Sequence, residues 1–279
     1  MKEQIIEVAV RDLYPFRNHP FQVKADESMQ ALCESIREYG VLSPLLARPK
    51  GTGYELVSGH RRRAAAIKLG LEMLPVLVRE MTDDEAVILM VDSNIQRENL
   101  LPSEKAFAYK MKLEAIKHQG KATSPQLAAK LRSDDGIGLN EGISGDTVRR
   151  YIRLTYLAKP ILDLVDAGRI AFSPAVELSY LTKLEQAELW DIMQSEDCTP
   201  SLSQAVRLKK ISQKAELTPE RMLEIMSEEK ANQKERVRID IGRISRFFPK
   251  GYTAGQMEDA IMQMLEENYR RKQRGKDAR

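Results

Sequence analysis

The chain has 279 residues, 30% of them charged and 42% hydrophobic, and its 44 basic and 41 acidic side chains leave a net charge of only +3. That length suits about two domains of roughly 100–200 residues. The composition excludes collagen, wholesale disorder and a disulfide scaffold, and no apolar run approaches the ~18–20 residues of a membrane helix. The charge balance does not announce a nucleic-acid binder, so the placement of the basic residues decides. MKEQIIEVAV lacks a secretory h-region, and a cytoplasmic location is expected. Cys33 and Cys198 lie far apart, which argues against zinc or a redox pair. His19, His60 and His118 are too scattered to suggest a metal cluster.

Residues 1–100 read as mixed α/β. The apolar run 5–10 predicts a strand. A helix over 28–39 places Met29, Leu32, Cys33, Ile36 and Tyr39 on one stripe and stops at Gly40. Strands follow at 45–48, 54–58 and 75–79, with a helix at about 60–69 between the last two. Thr82 is the expected N-cap of the next helix, whose first turn carries Asp83, Asp84 and Glu85. From Pro102 the pattern is helical only. Helices are expected from Pro102 to Gly120 and at 124–131, 144–157, 160–167, 174–181, 184–195, 201–213 and 219–229. Residues 230–235 read as a linker and 237–241 as a strand, and a last helix over about 254–270 carries Met257, Ile261, Met264 and Leu265. The fold class is α+β: an α/β domain at 1–100, an all-α domain at 101–215, and a linker with a small β–α tail at 216–279.

Two polar motifs stand out. Ser58-Gly59-His60-Arg61-Arg62-Arg63-Ala64 follows a strand and opens a helix. A helix N-terminus offers unpaired N–H groups to an anion, Gly59 permits close backbone approach, and arginines pair with phosphate. A solvated basic face is the bland alternative. The second motif, Ser93-Asn94-Ile95-Gln96-Arg97-Glu98-Asn99-Leu100-Leu101-Pro102-Ser103-Glu104, joins two helices and by itself reads as a polar junction.

Together the motifs resemble those of the ParB family of DNA-segregation proteins. The first is similar to the family's G-E-R-R-x-R-A box and the second to its E-N-x-Q-R-x-x-L-N-P-x-E box. Gly40-Val41-Leu42-Ser43-Pro44-Leu45-Leu46-Ala47-Arg48 is similar to a third, G-I-x-x-P-(I/L)-x-V-R. The likeness runs from residue 5 to about 215 and implies a ParB/sulfiredoxin-like N-terminal domain that binds CTP with Mg²⁺. On that resemblance Leu42, Ser43 and Pro44 line the base or ribose side, with Arg48 at the end of the same box. Gly59, His60, Arg61 and Arg62 hold the triphosphate. Asn94 approaches the metal through the nucleotide, and Gln96 and Arg97 support the site. The family's two carboxylates are His60 and Ser93 here, and its sixth-position arginine is Ala64. The resemblance therefore carries binding further than metal handling or hydrolysis, and no catalytic residue is assigned. Sulfiredoxin's G-C-H-R is also similar to SGHR, but Gly59 stands in place of its reactive cysteine.

The segment 144–157 carries Val148, Tyr151, Ile152 and Thr155 on one stripe and Asp146, Arg149, Arg150 and Arg153 on the other. One side anchors, and the other presents donors to a major groove. An ordinary amphipathic helix reads the same way, and the resemblance, which places a helix-turn-helix here, favours the recognition helix. Thr147, Arg149 and Arg150 are expected to meet bases, Arg153 phosphate, and Ser144 the start of the helix. Arg169 and Ser173 lie in a segment similar to one that approaches DNA in the family. The link at 132–143 is longer than the usual ~3–4-residue turn.

The β–α tail is too small for its own core, and a homodimer reading an inverted repeat is the natural solution. Basic residues at 270–279 add phosphate contact. A ParA-type ATPase partner is implied by the resemblance, although only Lys2 supplies basic charge ahead of the first strand. The leading expectation is a dimeric, site-specific partition protein forming a CTP-gated clamp on double-stranded DNA, associated with a nucleoid or plasmid and not with a membrane. The alternatives are a ParB-like transcriptional regulator without hydrolysis, and a nucleotide-dependent small-molecule enzyme on the same fold.

Overall fold

In a computed structural model, residues 4–97, 99–122, 134, 136–138, 142–228, 241–249 and 251–276 are described. The short apolar runs become β1 (Gln4–Ala9), β2 (Leu13–Tyr14), β3 (Leu45–Lys50), β4 (Gly53–Ser58) and β5 (Met73–Val78). They form one sheet in the order β1-β5-β3-β4-β2. The β1–β5 and β3–β4 pairs are antiparallel, and β5–β3 and β4–β2 are parallel. Gly51, at φ 59°, makes the tight turn from β3 to β4, and the resulting register sets Arg48 opposite Glu55.

Strand alternation feeds two faces. Leu56 of β4 packs with Leu45, Ala47, Val76 and Ala66 on one side, whereas Val57 joins Met90 and Val91 on the other. On the first side lie α1 (Glu27–Tyr39) and α2 (His60–Lys68), whose Ala65 meets Met29 and Ile36. Asp26 caps α1 by accepting the Met29 N–H at 2.9 Å, and Gly40 ends it at φ 72°. The expected stripe holds except at Tyr39, which is 61% exposed in the final turn, where no element covers it. On the second side lie α3 (Asp83–Ile95), opened by a Thr82–Glu85 capping box, and α4 (Pro102–Ala122).

The helical layer continues with α5 (Gly145–Arg153), a 3₁₀ turn (Leu154–Tyr156), α6 (Lys159–Asp166), α7 (Phe172–Leu178), α8 (Lys183–Ser195), α9 (Leu202–Ser212) and α10 (Pro219–Ser227). The segment expected as one helix over 144–157 therefore tightens after Arg153, where Leu154 turns inward and is fully buried. Met222, Ile225 and Met226 of α10 pack into the same core as Ile161, Leu178 and Leu208, so the helical layer runs past the expected limit at 215. No core boundary falls at 100 either. A second cluster unites Val57, Met90 and Ile95 with Ala108 and Tyr109 of α4 and with Val148 of α5. One compact unit thus spans 1–228.

The second unit, 229–279, contains α11 (Ile241–Ile244), a 3₁₀ turn (Ser245–Phe247) and α12 (Ala254–Lys276). Within it Met257 is buried, while Met264 and Leu265 of the expected stripe are exposed. Ile241, expected to end a strand, begins a helix. The rest of that strand, the linker at 230–235 and the helix at 124–131 fall outside the described residues. Among the described residues no helix is long and apolar enough to cross a membrane.

Candidate functional site

The end of β4 delivers Gly59 to the N-terminus of α2. Gly59 adopts φ 104°, and a Cβ there would lie 2.8 Å from Leu45 Cγ. Only glycine makes this turn cheaply. His60 begins α2 and is buried. Its Nε2 accepts the Phe16 N–H at 3.4 Å, which puts the ring proton on Nδ1. The His19 ring packs against it, tilted by 39°, at a centroid distance of 3.8 Å. Burial, reinforced by His19, Arg97 and Arg63, pushes the His60 imidazole down to about 3.

The arginines take different tasks. Arg62 donates to the Ser43 carbonyl and, at 2.9 Å, to the Pro44 carbonyl, so the 40–48 box and the 59–62 box are tied together. Leu42 beside them is 79% exposed. Arg61 donates to Ser28 Oγ at 2.5 Å and lies 3.5 Å from Asp26. Burial holds the guanidiniums of Arg62, Arg63 and Arg97 below their ordinary value, and Arg61 adds repulsion at Arg97. Asn94, in the last turn of α3, is buried, and its amide donates to the Met90 carbonyl at 2.7 Å. Gln96 caps that helix and is exposed.

Arg48 is placed elsewhere. Only 5% exposed, it donates through Nε and Nη2 to Glu55 at 2.8 and 2.5 Å, with Asp83 as a further partner. Burial opposes both charges, yet the pairing prevails: Arg48 is held above its ordinary value and Glu55 below. Arg48 is thus occupied inside the sheet by its cross-strand neighbour, not gathered at α2.

Five buried side-chain polar atoms lack a partner among the described residues, and four of them are His19 Nε2, His60 Nδ1, Arg63 Nε and Asn94 Oδ1. Such atoms are costly unless something binds them. The His19 and His60 rings are in contact and feel the charges of Arg97 and Arg63, and Asn94 lies three residues before Arg97 in the chain, so the set suits a polar ligand. The fit is to an anion with several oxygens, because the surroundings are cationic. For Mg²⁺ the protein offers little: Asn94 Oδ1 is neutral, Asp92 accepts from Lys112 at 2.5 Å, and no metal-holding group of three His, Cys, Asp or Glu occurs among the described residues.

The buried neutral His60 has a measurable signature. Its folded value lies below the unfolded 6.5, so the unfolded state binds more protons between pH 6.5 and about 3. Stability is complete above pH 6.5 and declines on acidification by up to about 1.4 kcal/mol per pH unit. Urea unfolding at pH 6.5 and 5.5 should show that slope reduced in His60→Gln; equal slopes in both proteins would contradict the burial assigned to His60.

On α5, Ser144 caps the helix by accepting the Thr147 N–H at 3.1 Å. Val148 is buried, with Tyr151 and Ile152 half-buried beside it. Arg149 is half-exposed, 3.6 Å from Asp134 and 3.7 Å from the exposed Asp146. Arg150 Nη2 donates to Ser173 Oγ at 2.9 Å and its guanidinium lies over the Phe172 ring, so two expected contact residues meet. Arg153 is held by the Ser179 carbonyl at 2.6 Å and sits 3.9 Å over Tyr180 and 4.6 Å over Tyr156. It braces α5 against α7. Arg169 is exposed and pairs with Asp197 at 3.3 Å.

A family model described as the ParB N-terminal domain matches residues 1–95. The chain is 37% identical over 191 residues to the probable chromosome 1-partitioning protein ParB of Deinococcus radiodurans, covering 68% of this chain and 60% of that relative. It is 33% identical over 205 residues to the chromosome-partitioning protein Spo0J of Thermus thermophilus, covering 74% of this chain and 70% of that one. The chain belongs to the ParB family. Among solved structures it is similar to the C-terminally truncated chromosome-partitioning protein ParB of Caulobacter crescentus complexed to the centromeric parS site, with a TM-score of 0.44 and 22% identity, over 74% of this chain and 98% of that one.

Within this ParB-family chain the three boxes come together through Arg62 and through Arg97, whose charge acts on His60. Sequence reasoning included Arg63 in the arginine run of the first motif but missed His19 as a member of the site. His19 lies 41 residues before its ring partner, and no periodicity links them.

Proposed function

We propose that this chain is a partition-type protein that binds a specific double-stranded DNA site as a homodimer and holds CTP at the start of α2, the nucleotide favouring one of two arrangements of the protein on DNA. The carrying observation is the group of buried, unpartnered polar atoms among the arginines at Gly59–Arg63 and Asn94–Arg97. The names of the two curated relatives support the partition role, and the Ser144-capped helix with Arg149 and Arg150 supports the DNA role. Arg61, Arg62, Arg63 and Arg97 would bind the phosphates, and Leu42 to Pro44 would flank the base. Any Mg²⁺ would arrive with the nucleotide, because among the described residues the protein offers it only the neutral Asn94 Oδ1. A ParA-type ATPase is the expected partner.

Calorimetry with CTP, ATP and GTP tests the site, and a preference for CTP is expected. Absence of binding to all three, with and without DNA, removes the nucleotide role. Arg149→Ala and Arg150→Ala should each weaken specific DNA binding by about 1–3 kcal/mol, measured by competition against unrelated duplex. Unchanged sequence preference would reject α5 as the reading helix. Genome-wide immunoprecipitation should give one sharp peak with broad flanks.

The missing carboxylates favour a second reading, a regulator that binds nucleotide without hydrolysing it. Ser93 and His60 stand at those positions, and Asp92 is engaged by Lys112. Phosphate release over the uncatalysed rate decides between the two.

A further inference from the structure

His19 and His60 are fixed in opposite tautomers. Phe16 donates to His60 Nε2, so the buried, unpartnered Nδ1 carries hydrogen and is a donor. His19 Nδ1 lies 2.7 Å from the Phe21 carbonyl oxygen, which only accepts, so that nitrogen carries hydrogen. In the neutral ring the buried, unpartnered His19 Nε2 is then a bare lone pair. One ring offers an anion a hydrogen bond and its packed neighbour offers none until it gains a proton.

We infer that the packed histidine pair is a two-part phosphate contact: His60 donates to a phosphate oxygen as a neutral ring, and His19 takes one proton from solvent at Nε2 as the phosphates arrive, becoming a second donor. This rests on the nucleotide reading above and adds a proton to it. The charges around the pair sort the two roles. Burial holds His19 neutral in the free protein, with Arg97 adding to it, whereas the Phe21 carbonyl and Glu104 favour the cation. Among the described residues His60 faces the charges of His19, Arg97 and Arg63, all of which oppose its protonation, and protonating its Nε2 would break the bond from Phe16. An incoming polyphosphate offsets the burial that holds His19 neutral by placing negative charge beside Nε2, and it neutralises Arg97, the lesser obstacle. Both ring atoms are closed to solvent, so the side chains covering them part when the ligand enters.

The sign follows directly. Binding takes up a proton, so affinity tightens as pH falls, by at most tenfold per unit. The window lies between the His19 value in the free protein, below 6.5, and its higher value in the complex.

The test is calorimetry of CTP on the full chain at pH 7 in two buffers of different ionisation enthalpy, repeated from pH 8 to 6. Once the protonation change of CTP's own terminal phosphate, which titrates at about 6, is subtracted, the wild type should show net proton uptake and tighter binding at low pH. His19→Gln should bind CTP with neither effect. His60→Ala should weaken binding about 10- to 100-fold at every pH while keeping the uptake, and His60→Gln, which restores an N–H donor, should recover much of the loss. Binding with no buffer dependence and a flat pH profile overturns this inference and leaves the nucleotide reading standing. No binding of any nucleotide overturns both. The wild-type measurement decides even where a variant fails to fold.

Discussion

Replacing Glu55 with alanine is expected to lower the melting temperature of the protein by about 6–12 °C. Glu55 accepts from Arg48 through one carboxylate oxygen and from Lys50, at 2.7 Å, through the other, inside the sheet. Removing it leaves the 5%-exposed Arg48, among the described residues, with Asp83, the Met81 carbonyl at 3.4 Å and the Phe16 ring at 5.9 Å. An uncompensated buried charge costs about 3 kcal/mol or more, and in a unit of this size about 2–4 °C follows from each kcal/mol. Asp83 is mostly exposed, so it restores little of the loss. The double substitution Arg48→Met, Glu55→Leu should recover most of the stability, because it removes both charges. A single variant that melts with the wild type would show that the pair contributes nothing.

Gly59→Ala is the second large effect, and it strikes stability and binding together. A side chain at φ 104° costs about 1–3 kcal/mol in backbone strain. Its Cβ also meets Leu45 Cγ at 2.8 Å, and Leu45 is fully buried and cannot withdraw, which adds about 1–3 kcal/mol of overpacking. Relief can only come from moving the start of α2, which displaces His60 and loosens the Arg62 contact with Ser43 and Pro44. Differential scanning calorimetry should show a melting point lower by several degrees, and CTP titration a loss of at least tenfold in affinity. An alanine variant that binds CTP normally would mean that the helix start is not the phosphate site.

Much of this was legible because the relevant signals are local. Thr82 and Glu85 sit three residues apart and form the expected capping box. Gly59 between a strand and an arginine-rich helix announces its turn. The Arg48–Glu55 pair was legible in principle, since a two-residue turn at Gly51-Thr52 fixes their register, but the box resemblance assigned Arg48 to the nucleotide instead. The His19–His60 contact was not legible, because it depends on how the loop before α1 folds back over α2. Arg153 looked like its neighbours on the helical wheel. What distinguishes it is the tyrosine pair from the following turn and from α7's end, which no single-helix pattern contains.

The interior shared by Val57, Met90, Ile95, Tyr109 and Val148 has a mechanical consequence. The last turn of α3, which carries Asn94, and the first turns of α5, which carry the outward arginines, lean on the same dense packing with α4 as a strut between them. Close-packed interiors do not stretch gradually. A shift of α3 large enough to disturb that lining would therefore be felt at α5 as a discrete repacking instead of a graded loosening.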